Sequence, residues 1–302
     1  MSKLQKINSV YKWKHMKNVK NSKASPEEKK LFIQNINKVF NSKTQITKSE
    51  LANYLKKESK VTILTPMYNN GKYKKHCIKA IKSVLQQTHS NWEMIIIDDH
   101  STDGTYEYVT NYVNKLNTNK IKIIRNSVNK GCYVSLNEGI INSSGDYITR
   151  LDSDDSFVKN KLELQVNLLD KNKHIVSVFC SYKRDDLVVP FSEISAMYRR
   201  NIIKKIGYYD SVRFAADSEF RARINKTYGK NKIIIIDKIL YHAYTREKSL
   251  TTSKETGRHG VGYKMRKTYS KRYKKWHASN NKLYIHYPLL KRPFIVPGEM
   301  LS

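Results

Sequence analysis

At 302 residues, with 39% apolar and 11% aromatic side chains, the chain can bury a large α/β core and is too apolar for a disordered segment. Cys77, Cys132 and Cys180 are odd in number, widely spaced and without a C-x-x-C pair, which argues against a disulfide framework and a zinc site. The formal net charge is +31, concentrated on the flanks: 15 Lys against 4 acids in residues 1–60, and 12 Lys or Arg against 2 acids in 254–302.

That distribution leaves two readings open: lysines that solubilise the surface, or flanks that meet an anionic membrane or a polyanionic acceptor. No run of about 18 apolar residues and no signal-peptide core is present, so the expectation is a soluble, cytoplasmic protein.

In chain order, residues 1–60 read as a basic helical extension. Ser25-Pro26-Glu27-Glu28 starts one short helix, and Thr47-Lys48-Ser49-Glu50 repeats the capping pattern before a second. From Val61 the period changes. Val61–Leu64 reads as a buried strand ended by Pro66 and the turn Asn69-Asn70-Gly71. A helix with Ile78, Ile81, Val84 and Leu85 on one face follows, then a strand at Met94–Ile97 broken by Asp98-Asp99. Tyr106–Leu116 is a helix, Ile121–Ile124 a strand and Tyr133–Ile141 a helix, before Tyr147-Ile148-Thr149 leads into Asp152-Ser153-Asp154-Asp155. This β-α alternation with continuous apolar strands predicts a mainly parallel sheet covered on both faces. Ligands of such sheets bind at the carboxyl ends of the strands, where every distinctive polar motif here falls.

Three carboxylates within Asp152–Asp155 repel one another unless a cation or hydrogen-bond donors offset them, and hard oxygen ligands suit Mg²⁺ or Mn²⁺. The bland alternative is a polar loop capping the helix from Lys161. Asp98 and Asp99 can accept hydrogen bonds from a base or a ribose, while Asp103 and Gly104 form the turn into the next helix. Tyr68 offers a stacking surface, or ordinary packing. Asp217, opening a helix with Glu219, is either an N-cap or a general base.

Together these segments resemble the family 2 glycosyltransferases, inverting enzymes with a GT-A fold. The matching residues are Val61–Asn69, Ser83–Thr88, Glu93–Thr105, Asn129–Gly131, Asn137, Gly145–Ile148, Leu151–Asp155, Gly207–Asp210 and Ala216–Phe220. The resemblance implies a Rossmann-like three-layer α/β/α sandwich over 61–253, with a nucleotide-binding half (61–155), an acceptor half (156–253) and a basic, aromatic C-terminal extension (254–302). It implies transfer of a hexosyl or N-acetylhexosaminyl group from a nucleotide sugar, UDP-linked by family preference, to a glycan, protein or lipid-linked hydroxyl. By the same resemblance Pro66, Tyr68, Asp98, Asp99, Asp152 and Ser153 hold the nucleotide, Asp152 and Asp154 the metal, and Asp217 is the base. Glu219, His242, Arg246 and Lys248 are the candidates for diphosphate or acceptor contacts.

Three features depart from the family pattern: Ala216 stands where relatives often carry Glu, and Tyr244 and Arg246 stand where they often carry Arg and His. The rival readings are a nucleotide-binding but inactive relative and a nucleotidyltransferase. The latter is opposed by a Thr65–Lys72 loop with one glycine and no arginine. Specific nucleic-acid binding is not expected, because acidic pockets oppose it.

Overall fold

The computed structural model describes residues 58–247, 249–250, 252–257 and 260–301, and the chain divides into two compact units, Met1–Glu58 and Ser59–Ser302. The two helices expected in residues 1–60, and the candidate Lys248, lie outside the described residues.

The second unit is built on one nine-stranded sheet. Its first half is all parallel: β1 (Val61–Met67) pairs on one side with β2 (Trp92–Asp98), which pairs with β3 (Ile121–Arg125), and on the other with β4 (Tyr147–Arg150). The connections are α1 (Lys74–Leu85), α2 (Thr105–Asn114) and α3 (Cys132–Ile141). β1 and β2 are buried along almost their whole length, as strands covered on both faces must be.

Beyond β4 come β5 (Ser156–Phe157), α4 (Lys161–Lys171), β6 (Ser177–Arg184), β7 (Leu187–Val189), β8 (Met197–Arg199), α5 (Asn201–Ile206), α6 (Ala216–Tyr228), β9 (Ile233–Ala243) and α7 (Val261–Ser279). This half of the sheet is mixed. β8 enters antiparallel between β4 and β6, β9 runs parallel to β6, β5 pairs antiparallel with β9 at the edge, and β7 pairs antiparallel with β6.

Two local expectations change. β1 does not stop at Pro66. The Leu64 carbonyl accepts from Leu151 N–H, so residues 64 and 66 both face the β4 side, and pairing there ends at Leu64–Arg150. The missing proline N–H therefore removes no ladder bond, and the strand continues to Met67. In α1, Ile81 and Val84 are buried but Leu85 is exposed at the helix end.

The described residues from 254 onward fold with the rest of the second unit. α7 buries Tyr269, Tyr273, Trp276 and His277, and the tail after it buries Leu283, Ile285, Val296 and Met300. No helix among the described residues is long and apolar enough to cross a membrane.

Candidate active site

Because β1 to β4 run parallel, the loops after all four strands emerge at one edge of the sheet. There they line an open cleft of 1940 Å³, whose other walls come from the start of α6, the segment after β9 and one face of α7.

The β1 loop presents Pro66 and Tyr68 to the cleft, with Tyr68 44% exposed and available for stacking. It is stapled to the β2 loop: Asn69 N–H donates to Ser101 Oγ at 3.0 Å, Thr102 N–H to Asn69 Oδ1 at 2.8 Å, and Gly71 N–H to Asp103 Oδ2 at 2.5 Å. Asp103 also accepts from Thr105 N–H, and Gly104 takes φ +78° at the entry to α2, as a left-handed turn demands. Asn70 Nδ2 donates to Ser153 Oγ at 3.0 Å, so the buried Ser153 ties the β1 loop to the acidic loop.

The Asp98–Asp99 pair separates. Asp99 lines the cleft, and its carboxylate accepts from Asn126 Nδ2 (2.8 Å), Lys130 N–H (2.9 Å) and Gly131 N–H (2.7 Å), which fixes the loop after β3. Asp98 is fully buried and does not line the cleft. It accepts from Ser101 N–H and pairs with Arg125 at 3.2 Å, while burial pushes its carboxyl above the ordinary range. The structure thus gives Asp98 a place under the turn rather than beside a nucleotide.

In the acidic loop each carboxylate has its own counterpart. Asp152 pairs with Arg150, and Asp154 with Arg246 at 2.8 Å. Asp155 turns inward to accept from Tyr241 Oη (2.7 Å) and Tyr244 N–H (2.9 Å). Burial first, then the charges of Asp152 and Asp154, raise the Asp155 carboxyl well above the usual range; burial also raises Asp154, against the pull of Arg246. Among the described residues no group of three or more acidic, His or Cys side chains is arranged around a metal position. All three acids of this loop line the cleft, and with Asp155 taken up by Tyr241 and Tyr244 the candidate donors there are Asp152 and Asp154. That suits Mg²⁺ or Mn²⁺, which fill their other positions with water and substrate phosphate oxygens.

Asp217 lies in the first turn of α6 and lines the cleft beside Ser218 and Arg221, where the positive end of the helix favours a carboxylate. Ala215, its N-cap, holds φ +70°, an uncommon conformation for a residue with a Cβ. Ala216 is fully buried, so the side chain at this family departure does not reach the cleft.

Of the other candidates, Arg246 lines the cleft, but Glu219 and His242 do not. Glu219 is fully buried, paired with Arg223 at 2.8 Å and with His277 of α7 at 2.9 Å. His242 sits in β9 opposite Ser156 of β5. The resemblance makes both candidates, but helix α6 turns Glu219 into the core and β9 holds His242 in the sheet, so neither lines the cleft. Conversely, Arg150, Arg184, Arg213 and the α7 residues Arg266, Lys267, Lys271 and Lys274 line the cleft without having carried any local signal beyond their charge.

The family model "Glycosyl transferase family 2" matches residues 62–229, more than half of the chain. The chain belongs to that family. It is 38% identical over 115 residues to the putative glycosyltransferase EpsE of Bacillus subtilis, a stretch covering 38% of this chain and 40% of EpsE. It is 39% identical over 113 residues to the UDP-Glc:alpha-D-GlcNAc-diphosphoundecaprenol beta-1,3-glucosyltransferase WfgD of Escherichia coli, covering 37% of this chain and 42% of WfgD. The matches thus span less than half of either relative. Among solved structures, S. aureus TarS 1-349 in complex with UDP-GlcNAc superposes with TM-score 0.54 at 24% identity, over 63% of this chain and 60% of that one. The mannosyltransferase PcManGT from Pyrobaculum calidifontis, in complex with GDP-Man and Mn²⁺, gives 0.55 at 14% identity over 82% and 67%. These likenesses show the GT-A fold.

Proposed function

We propose that this chain is an inverting glycosyltransferase that moves a sugar from a UDP-sugar to an acceptor hydroxyl by a single, metal-assisted displacement. The observation that carries the reading is the gathering of Tyr68, Asp99, Asp152, Asp154 and Asp217 around one cleft at the carboxyl edge of the parallel strands. Names of relatives support it: TarS was crystallised with UDP-GlcNAc, and WfgD is named for a UDP-glucose donor and a lipid-linked acceptor.

On this reading Tyr68 and Pro66 flank the base, and Asp99 and the loop it orders close the nucleotide end. Asp152 and Asp154 hold the divalent cation, which when bound offsets charge on the departing diphosphate. Arg246 stands beside Asp154 to meet the diphosphate oxygens, as charge-assisted pairing favours. Asp217 accepts the proton of the acceptor hydroxyl as that oxygen attacks the anomeric carbon from the face opposite the leaving nucleotide. One base is sufficient, and no covalent sugar–enzyme intermediate forms.

The test is a screen of donor turnover over the common nucleotide sugars with Mn²⁺ and Mg²⁺, followed by two variants. Asp217→Asn keeps donor affinity and loses transfer by about 10²–10⁴-fold, the usual contribution of a positioned base. Asp154→Ala loses the metal dependence of donor binding. Wild-type transfer rates in Asp217→Asn would overturn the assignment of the base, and donor binding without turnover of any donor would favour an inactive nucleotide-binding relative.

A further inference from the structure

The stretch Val261–Ser279 holds seven Lys or Arg and no acid, and it forms the single helix α7. Its apolar side is spent on the core through Tyr269, Tyr273 and Trp276. Lys267, Lys271 and Lys274, at i, i+4 and i+7, fall on another face, and that face lines the cleft together with Asp217 and Arg221.

Of the other cations lining the cleft, Arg150 pairs with Asp152 and Arg246 with Asp154, and Arg221 lies 3.2 Å from Glu193. Arg266 is occupied in holding the preceding loop, donating to the carbonyls of Thr256 (2.9 Å) and Leu250 (3.1 Å). The three lysines are exposed and pair with no carboxylate among the described residues, although Glu247 and Glu255 also line the cleft. Like charges at i and i+4 oppose helix stability, so the arrangement is unfavourable until an anion enters.

Resting on the transferase reading above, we propose that the acceptor carries phosphate groups, bound by Lys267, Lys271 and Lys274 on the α7 wall while its hydroxyl reaches Asp217. A bare anionic membrane fits less well. The lysines line a concavity, and the aromatic face that an interfacial helix would insert into lipid is already buried in the core.

The experiment titrates the full chain with inorganic polyphosphate over a range of salt, and reads UDP binding with Mn²⁺ in parallel. Lys267→Gln/Lys271→Gln/Lys274→Gln is compared with the charge-matched Lys264→Gln/Lys275→Gln/Lys282→Gln, whose exposed positions lie outside the cleft lining. The expected result is a loss of at least tenfold in polyphosphate affinity for the cleft variant, with the log–log salt slope reduced by about 2, since each neutralised phosphate on a single strand contributes about 0.7. The control variant changes by less than about twofold, and UDP affinity is unchanged in both. Binding to a polyprenyl diphosphate in phosphatidylcholine vesicles, lost in the cleft variant, places the phosphate on a lipid carrier; binding to polyphosphate alone places it on a soluble polymer. Equal weakening of the two variants overturns the proposal in favour of net charge, and binding to phosphatidylglycerol vesicles alone overturns it in favour of a membrane surface. Failure of the wild type to bind UDP strikes the transferase reading instead, whatever the polyphosphate result.

Discussion

Glu193, on a 3₁₀ turn next to the cleft, shows how far one buried carboxyl can depart from its ordinary behaviour. Burial pushes it from 4.5 up to about 8, only partly offset by Tyr198, whose hydroxyl donates to it, and by the Arg221 charge. Between those two values the folded chain holds a proton that the unfolded chain has released, so stability falls as pH rises across the window. Glu193→Gln removes that slope. Its melting temperature tracks wild type at about pH 5 and exceeds it at about pH 8, as thermal scans by circular dichroism would show. Arg246 supports a second prediction. It pairs with Asp154 at 2.8 Å, and on the proposed reading it would compete with the cation there and meet the donor diphosphate. Arg246→Ala should therefore tighten Mn²⁺ binding measured calorimetrically without nucleotide, and weaken UDP-sugar affinity by about 10- to 100-fold, the scale of a hydrogen bond to a charged group.

The element that delivers Asp217 is the segment from Ile206 to Arg213, and it is held from three sides. Asn137 of α3 donates to the Tyr209 carbonyl at 2.9 Å and accepts from Tyr209 N–H at 3.0 Å. Tyr269 of α7 and Arg292 hold the buried Asp210 at 3.0 and 2.6 Å. The tail closes the third side: Tyr208 N–H donates to the Ile285 carbonyl at 2.9 Å, and Arg213 N–H to that of Met300 at 2.8 Å. Gly207 permits this, with φ +75° and no Cβ; one added there would lie 2.0 Å from the Ile285 oxygen. Gly207→Ala is expected to cost about 3 kcal/mol through backbone strain and overpacking, read as a shift in denaturant midpoint. Asn137→Ala leaves two buried backbone groups unpaired and should cost about 2 kcal/mol by the same measurement. The match of Asn137 and Gly207–Asp210 to the family was readable in the sequence, but their reason was not, because it lies in contacts with residues far along the chain.

For the second unit as a whole, the tail after β9 is part of the domain rather than an appendage. Tyr269, Tyr273, Trp276, Ile285 and Met300 are buried, at about 2 kcal/mol of hydrophobic stabilisation each. Their sum is comparable to the entire stability of a typical domain. Truncation after residue 253 is therefore expected to yield an unfolded or aggregated product, by circular dichroism and size-exclusion chromatography, and not a soluble domain lacking a basic flank. In sequence these residues read as an extension because lysines dominate their composition; the aromatic positions that bury in α7 became visible only against α6 and the 206–213 segment.

Local chemistry was enough to determine the parallel β-α half, its strand-end loops and the family, since apolar runs, turn residues and carboxylates at strand ends report their neighbours in the chain. Tertiary structure decided what distance along the chain conceals. It separated Asp99 at the cleft from Asp98 beneath it, and Asp217 from the buried Glu219 two residues on. It gave each acid of the 152–155 loop its own counterpart, and it turned a basic tail into the wall of the cleft. The physical reason is common to these cases: a side chain's direction and partners depend on packing between elements far apart in sequence, which composition and periodicity do not encode.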